Sequence, residues 1–123
     1  MKRRGLLNAR LAQVVAGMGH TDCLVVADVG LPVPPGVEVI DLAVTLGLPG
    51  YAEVLAAILD ELEVERCVMA EEAAPALVDL APCAPERVPH EAFKALTAGA
   101  RAIVRTGETT PFANIALYSG VVF

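Results

Sequence analysis

Apolar residues recur along the chain with two periods, one typical of short buried strands and the other typical of helices with one apolar face. Short apolar runs rich in β-branched side chains predict strands. The predicted strands are 23–27, 37–42, 65–70, 102–104 and 114–122. The predicted helices are one that Asn8 caps and Gly19 stops, followed by 51–62, 73–80 and 89–98. Because strands and helices alternate, we predict an α/β fold with three layers, α/β/α, and a largely parallel sheet.

The length of 123 residues bounds the chain to one domain, 1–123, with a single set of core residues. Hydrophobic residues make up 55% of the chain. In a small domain, apolar residues in excess of what the core can hold usually lie buried in contacts between subunits. We therefore expect a homo-oligomer. Acidic residues interrupt every apolar run before it reaches the length of about 18 residues that a membrane helix needs. Polar residues also interrupt the basic N-terminal segment before a signal-peptide core forms, so we expect a cytoplasmic protein without a membrane partner.

Charge and aromatic content argue against a nucleic-acid partner. The formal net charge is −6, aromatic residues make up 4% of the chain and tryptophan is absent. Neither contacts to phosphate groups nor stacking on bases is favoured by this composition.

Residues that usually hold metals or cofactors lack the necessary spacing. No glycine-rich phosphate loop occurs, and the only two histidines, His20 and His90, are too far apart for metal-ligand spacing. Ser119 is the single serine, and no G-x-S-x-G pattern surrounds it. The three cysteines form no C-x-x-C pair, and Cys23 and Cys67 fall in predicted strands, which is typical of free buried thiols. We expect neither a metal nor a cofactor.

His20 and Asp28 stand at the two ends of the first predicted strand, 23–27. Asp28 follows the carboxyl end of that strand, where open α/β sheets place their ligand sites, and spacing alone leaves His20 at the opposite end. Histidines and carboxylates suit proton transfer without a cofactor, because histidine titrates near neutral pH. Structural roles explain the same residues equally well: His20 at a helix C-terminus, His90 at a helix N-terminus and Asp28 as a cap of its loop.

Arg105 and Glu108 suit a surface ion pair of little energetic weight. Composition and spacing alone therefore lead to a small α/β oligomer, and they leave open whether a histidine site exists.

Four segments of the chain carry long and specific motifs. They are GHTDCLVVADVGLPVP, VIDLAVTLGLP, HEAFK and AIVRTGETTPFANIALYSGVVF. In order and spacing, these segments resemble the D-ribose pyranase family, which is related to the L-fucose mutarotases. The resemblance extends along nearly the whole chain, and only 73–89 is shorter than in typical members. The form GLPVP after Asp28 resembles the pyranase branch more than the fucose branch.

The resemblance implies an α/β fold that assembles into rings, commonly a homodecamer of two stacked pentamers. It implies an isomerase that interconverts the pyranose and furanose forms of D-ribose, and their anomers, without a cofactor. It also assigns roles, with His20 as the catalytic proton donor and a substrate-binding segment contributed across a subunit interface. The residues implied to bind substrate are Asp28, His90, Phe112, Ala113 and Asn114.

One position departs from the family pattern, since Phe112 stands where typical members have tyrosine. A hydroxyl is lost there, which bears on affinity or specificity only if that hydroxyl touches the sugar. Two alternative functions remain: an L-fucose-type mutarotase, and a non-catalytic sugar-binding subunit on the same fold.

Overall fold

The sheet has six strands, one more than the sequence predicts, and the computed structural model describes every residue from Met1 to Phe123. The strands are β1 (Cys23–Ala27), β2 (Glu38–Asp41), β3 (Val64–Ala70), β4 (Glu86–Val88), β5 (Ala102–Arg105) and β6 (Ile115–Ser119). They lie in the order β2-β5-β1-β6-β3-β4. β6 runs antiparallel to β1 and β3, and all other pairings are parallel. The largely parallel sheet is confirmed, as a mixed sheet in which β6 alone is reversed.

Every predicted helix is present. They are α1 (Ala9–Ala16), α2 (Tyr51–Leu59), α3 (Pro75–Val78) and α4 (His90–Leu96). Asn8 caps α1 as predicted, because its Oδ1 accepts a hydrogen bond from the backbone N of Leu11 at 3.0 Å. α2 ends earlier than predicted, since the backbone N of Glu61 bonds the carbonyl of Ile58, three residues back, and so tightens the last turn. None of these helices has the length and apolar content that crossing a membrane requires.

The helices cover both faces of the sheet, which confirms the three-layer arrangement. The sheet divides the core, which the length predicts to be single, into two clusters. The larger joins α1, α2 and α3 to one face, and the smaller joins α4 to the other face through Phe93. β1 contributes to both cores along its length. Leu24 and Val26 belong to the larger core, and Cys23, Val25 and Ala27 belong to the smaller one. All five residues of β1 are buried, so this strand fixes the positions of the two loops at its ends.

The cysteines are free thiols, and Cys23 and Cys67 are buried as predicted. Burial raises the pKa of Cys23 to about 11. Burial, together with a contact to the neighbouring Cys83 thiol, raises the pKa of Cys67 to about 12. Both thiols are therefore protonated at neutral pH, and neither has the thiolate character of a nucleophile.

Candidate active site

Asp28 and Asn114 form a reciprocal pair at the carboxyl end of β1. The backbone N of Asp28 donates to Asn114 Oδ1 at 2.9 Å, and Asn114 Nδ2 donates to Asp28 Oδ2 at 3.0 Å. The other carboxylate oxygen, Oδ1, accepts from the backbone N of Gly30 at 2.9 Å. Because Asn114 is fully buried, its amide holds the carboxylate of Asp28 in one orientation.

His90 and Phe112 form the opposite wall of the same site. Their ring centroids lie 5.0 Å apart with an interplanar angle of 77°, which is the edge-to-face geometry that aromatic rings favour. His90 is the first residue of α4, and its backbone N donates to the carboxylate of Glu72 at 3.1 and 3.2 Å. The ring nitrogen Nδ1 of His90 is buried and has no hydrogen-bond partner within the protein. A buried polar atom left in this state costs about 1–3 kcal/mol, and Nδ1 is the one such atom at this wall of the site.

The segment 112–114 reaches the site through a tight turn. The backbone N of Asn114 donates to the carbonyl of Phe112 at 2.8 Å, and Phe112 has a φ of 62°. Left-handed backbone is unfavourable for a bulky residue and is held in place by its surroundings. The side chain of Ala113, between them, is buried in the larger core. Phe112 therefore places its ring at the site and Asn114 bonds Asp28 through its amide, whereas the side chain of Ala113 lies in the core.

A cavity of about 260 Å³ lies between these groups. Its lining residues are Asp28, Gly30, Leu31, Pro32, His90, Pro111 and Phe112. This volume is just below the range of about 300–1,000 Å³ that is typical of drug-sized ligands, and it suits a small polar molecule. A second cavity, of about 280 Å³ between α1 and α2, has a mostly apolar lining and lies away from the predicted site residues.

Glu108 holds the loop that precedes Phe112, and the sequence did not indicate this role. Its carboxylate accepts from the backbone N of Tyr51 at 3.0 Å and from the backbone N and the hydroxyl of Thr110 at 3.2 and 2.9 Å. These hydrogen bonds, led by the one from Tyr51, hold the pKa of Glu108 below its ordinary value. The loop is thereby tied to the N-terminus of α2.

The expected ion pair between Arg105 and Glu108 is wrong. Arg105 Nη1 instead contacts Asp41 Oδ2 at 2.8 Å, and its Nε donates to the carbonyl of Val29 at 3.0 Å. Asp41 and Arg105 are partners in the register of β2 and β5, so the sheet brings them together. Glu108 is engaged by backbone amides, which outcompete a solvated ion pair because they would otherwise lack partners.

His20 lies at the opposite end of β1 and contacts none of these groups. Its Nε2 is 2.8 Å from Glu65 Oε2, and the two side chains are 53% and 42% exposed. The last carbonyls of α1 accept from the backbone N of Gly17 and Met18, so His20 is not the helix C-cap that one structural alternative assumed. The five residues of β1 that lie between His20 and Asp28 span roughly 16 Å, at about 3.3 Å per residue.

Most of the predicted site residues meet within one chain. The segment 112–114 contacts Asp28 through Asn114 and His90 through Phe112. The paired strands β1 and β6 place the two loops side by side. His20 is the predicted site residue that remains apart.

Backbone strain marks both parts of the predicted site. Thr21, next to His20, has a φ of 70°, and Phe112 has a φ of 62°. These are the chain's two non-glycine residues with positive φ, and they fall in the segments GHTDCLVVADVGLPVP and AIVRTGETTPFANIALYSGVVF. Strain of this kind concentrates at functional sites, where the surrounding structure over-determines the backbone.

Known proteins resemble this chain along its whole length. The model of the RbsD / FucU transport protein family matches residues 1–122. The D-ribose pyranase of Pseudomonas putida (strain GB-1) is 57% identical over 132 aligned positions that cover 100% of both chains. The D-ribose pyranase of Bacillus licheniformis is 48% identical over 131 positions, also with 100% coverage of both.

Solved structures show the same extent of similarity. Bacillus subtilis RbsD complexed with D-ribose superposes with a TM-score of 0.93 at 44% identity, covering 100% of both chains. FucU from Bifidobacterium longum superposes with a TM-score of 0.82 at 26% identity, covering 95% of this chain and 97% of that chain. The similarity is thus a property of the whole fold rather than of a single motif.

Proposed function

The chain belongs to the RbsD / FucU transport protein family, and from this premise we propose that it is a D-ribose pyranase. The proposed reaction is the interconversion of the pyranose and furanose forms of D-ribose, and of their anomers, without a cofactor. The observation that carries the proposal is the small cavity lined by Asp28, His90 and Phe112, in a chain that is 57% identical to a D-ribose pyranase over its full length. The complex of Bacillus subtilis RbsD with D-ribose supports a monosaccharide as the ligand.

Ring interconversion requires two proton transfers. The ring oxygen gains a proton as its bond to the anomeric carbon breaks, and the anomeric hydroxyl loses a proton as its oxygen becomes the aldehyde carbonyl. Closure through a different hydroxyl reverses both transfers and gives the other ring size. In the proposed mechanism His20 delivers the proton to the ring oxygen, an effect of roughly 10²–10⁴-fold for a general acid. Asp28 accepts the hydrogen bond, and then the proton, of the anomeric hydroxyl.

His90 and Asn114 orient the sugar in different ways. His90 lines the cavity, and its imidazole bonds a sugar hydroxyl. Asn114 is fully buried and already bonded to Asp28, so it acts through that carboxylate. The ring of Phe112 offers an apolar wall to the C–H face of the sugar. A wrong epimer would leave one of these polar groups without a partner, and such a mismatch is strongly discriminated.

A second copy of the chain supplies His20 in this proposal. Within one chain His20 and Asp28 lie at opposite ends of β1. A head-to-tail contact would bring the His20 end of one subunit to the Asp28 end of its neighbour. Contacts of this type close into rings. Large apolar side chains that are more than half exposed support self-association. They include Leu7, Val44, Leu46 and Leu48. We propose a homodecamer of two pentameric rings, each chain being a single pyranase-like domain over 1–123, located in the cytoplasm.

The test is saturation-transfer NMR on D-ribose with and without the protein at neutral pH. Exchange between pyranose and furanose signals should accelerate with the protein and return to the uncatalysed rate with His20→Ala, while the size of the assembly stays the same. Acceleration on L-fucose but not on D-ribose would move the assignment to the fucose branch. Binding of either sugar without acceleration would leave the sugar-binding subunit as the function.

A further inference from the structure

The contact between His20 and Glu65 is built by the backbone of both partners. A contact between two half-exposed side chains, taken alone, carries little weight. Here, however, three unusual backbone features converge on it: a β-bulge, a close approach at a glycine and a positive φ at a threonine. Each of them bears on where one of the two side chains points.

Glu65 is the extra residue of a β-bulge. In the antiparallel pairing of β3 with β6, Val64 is opposite Ser119 and Arg66 is opposite Tyr118, so Glu65 has no partner in the register. A bulge turns a side chain away from the direction that regular alternation would give it, and bulges are frequent beside active sites. The side chain of Glu65 is thereby directed to the ring of His20, 2.8 Å away.

Gly120 packs closely against the bulge. Its backbone N donates to the carbonyl of Glu63 at 3.0 Å. A Cβ at this position would lie 3.1 Å from the Cβ of Glu65 and 3.3 Å from its backbone N. A side chain at this position would require Glu65 to shift by a few tenths of an ångström, so glycine suits this close approach of β6 to the bulge.

The turn that carries His20 is fixed to the same end of β6. The backbone N of Thr21, in its strained conformation, donates to the carbonyl of Ser119 at 2.8 Å. Asp22 Oδ2 accepts from the backbone N of Gly19 at 2.8 Å and from Arg101 Nη1 at 2.8 Å. Both partners of the contact are therefore anchored at Ser119 and Gly120.

We propose that Glu65 is a positioning residue for the isomerisation, acting through His20. A carboxylate accepts hydrogen bonds, so the nitrogen that faces it, Nε2, must carry a hydrogen. The other nitrogen, Nδ1, carries a proton only in the doubly protonated imidazolium form of His20. From that form Nδ1 delivers its proton to the sugar ring oxygen, which leaves the neutral Nε2–H tautomer, and Nδ1 takes a proton back when the ring closes. Glu65 fixes the tautomer and the orientation of His20 and touches no substrate. The proposal rests on the proposed function for its catalytic consequence, but the tautomer is a property of the protein alone.

Two readouts test the proposal on the full-length assembled protein. The first is the ¹⁵N NMR spectrum of the imidazole rings after histidine labelling. The chain has only two histidines, and the spectrum of His20→Ala assigns the signals of each. The spectrum should show the Nε2–H tautomer for neutral His20 in the wild type and a mixture of tautomers in Glu65→Ala. The second is the rate of D-ribose exchange, for which Glu65→Ala should lower kcat roughly tenfold with little change in KM, the order expected for a partner that orients a reacting group.

Glu63→Gln is the matched control, because Glu63 is an exposed carboxylate two residues away whose side chain has no hydrogen bond. It should leave both readouts unchanged, and Glu65→Gln should recover part of the lost kcat, since the amide oxygen still accepts from Nε2. An unchanged tautomer in Glu65→Ala would overturn the proposal, whether or not the protein acts on D-ribose. Loss of activity in His20→Ala together with full activity in Glu65→Ala would overturn it as well. If the wild type did not accelerate D-ribose exchange, the proposed function would be refuted. The tautomer result would then still decide whether Glu65 positions His20.

Discussion

Asn114 and Asp28 are 86 positions apart in the sequence, yet each donates one hydrogen bond to the other. The amide oxygen of Asn114 accepts from the backbone N of Asp28, and the amide nitrogen donates to the carboxylate of Asp28. A single buried side chain thus sets both the path of the chain after β1 and the orientation of the acidic group at the cavity.

Asn114→Ala should weaken both the fold and the site. The backbone N of Asp28 would lose its buried partner, which costs about 1–3 kcal/mol in the free energy of unfolding. The carboxylate would also become free to rotate, and kcat/KM for D-ribose exchange should fall at least tenfold. Urea unfolding and saturation-transfer NMR measure the two effects. Ser119→Ala, at another buried polar residue near the end of the same strand, should change neither by a comparable amount, and equal losses in both variants would argue against a specific role of Asn114.

Mixed assemblies should reveal whether His20 and Asp28 act from different subunits. His20→Ala and Asp28→Asn should each be inactive alone. When the two variants are co-expressed and mix at random, about a quarter of the sites should receive an intact His20 from one subunit and an intact Asp28 from its neighbour. The recovered exchange rate, relative to wild type, measures that fraction. If both residues served a site within one chain, every site would carry one defect and no activity would return.

Phe112 should act through its ring rather than through a missing hydroxyl. Phe112→Tyr keeps the edge-to-face contact with His90, so kcat/KM for D-ribose should stay within about threefold of wild type. Phe112→Ala removes the contact, which is worth about 0.5–1.5 kcal/mol, and should raise KM because His90 is held less firmly. Steady-state exchange rates over a range of ribose concentrations separate these cases. A large gain of Phe112→Tyr on either sugar would instead mean that the hydroxyl touches substrate.

Glu108 should make the stability of the loop dependent on acid. Its pKa is held below the ordinary value of 4.5, first by the hydrogen bond from the backbone N of Tyr51. A carboxyl whose pKa is lowered by folding stabilises the native state fully above its unfolded pKa, and this contribution disappears as the pH falls through the folded pKa. Wild type should therefore be more stable than Glu108→Gln at pH 7, and the difference should shrink below pH 4.5. Thermal unfolding at pH 7 and at a pH below 4.5 measures the difference in stability between wild type and Glu108→Gln. The control Glu63→Gln should differ from wild type at neither pH. A gap that stayed constant with pH would contradict the ionic origin.

Strands and helices with strong periodic patterns were predictable from the sequence, and the layers followed from their alternation. β1 was evident because all five of its residues are apolar, as a strand buried on both faces requires. β4 was missed because it has three residues, Glu86–Val88, of which two are charged and exposed. Its pairing with β3, rather than its own composition, makes it a strand.

The site was predictable only in part, for a physical reason. Residue types and the family resemblance indicated His20, Asp28, His90 and Asn114. Which of them meet depends on strand order, and nothing local in the sequence states that β6 lies between β1 and β3. The bulge at Glu65 is likewise set by pairing with β6, so no pattern within β3 could reveal the contact to His20.

The position of β6 has a consequence for how the protein is made. Within the sheet, β6 is the only strand that pairs with both the group β2-β5-β1 and the pair β3-β4. A growing polypeptide that lacks Ile115–Ser119 therefore holds two separate pieces of sheet, each with an unprotected apolar edge. Such edges invite pairing with other chains. A ribosome that stalls shortly before this strand emerges should release an aggregation-prone product, whereas completion of these few residues joins the two pieces into one sheet.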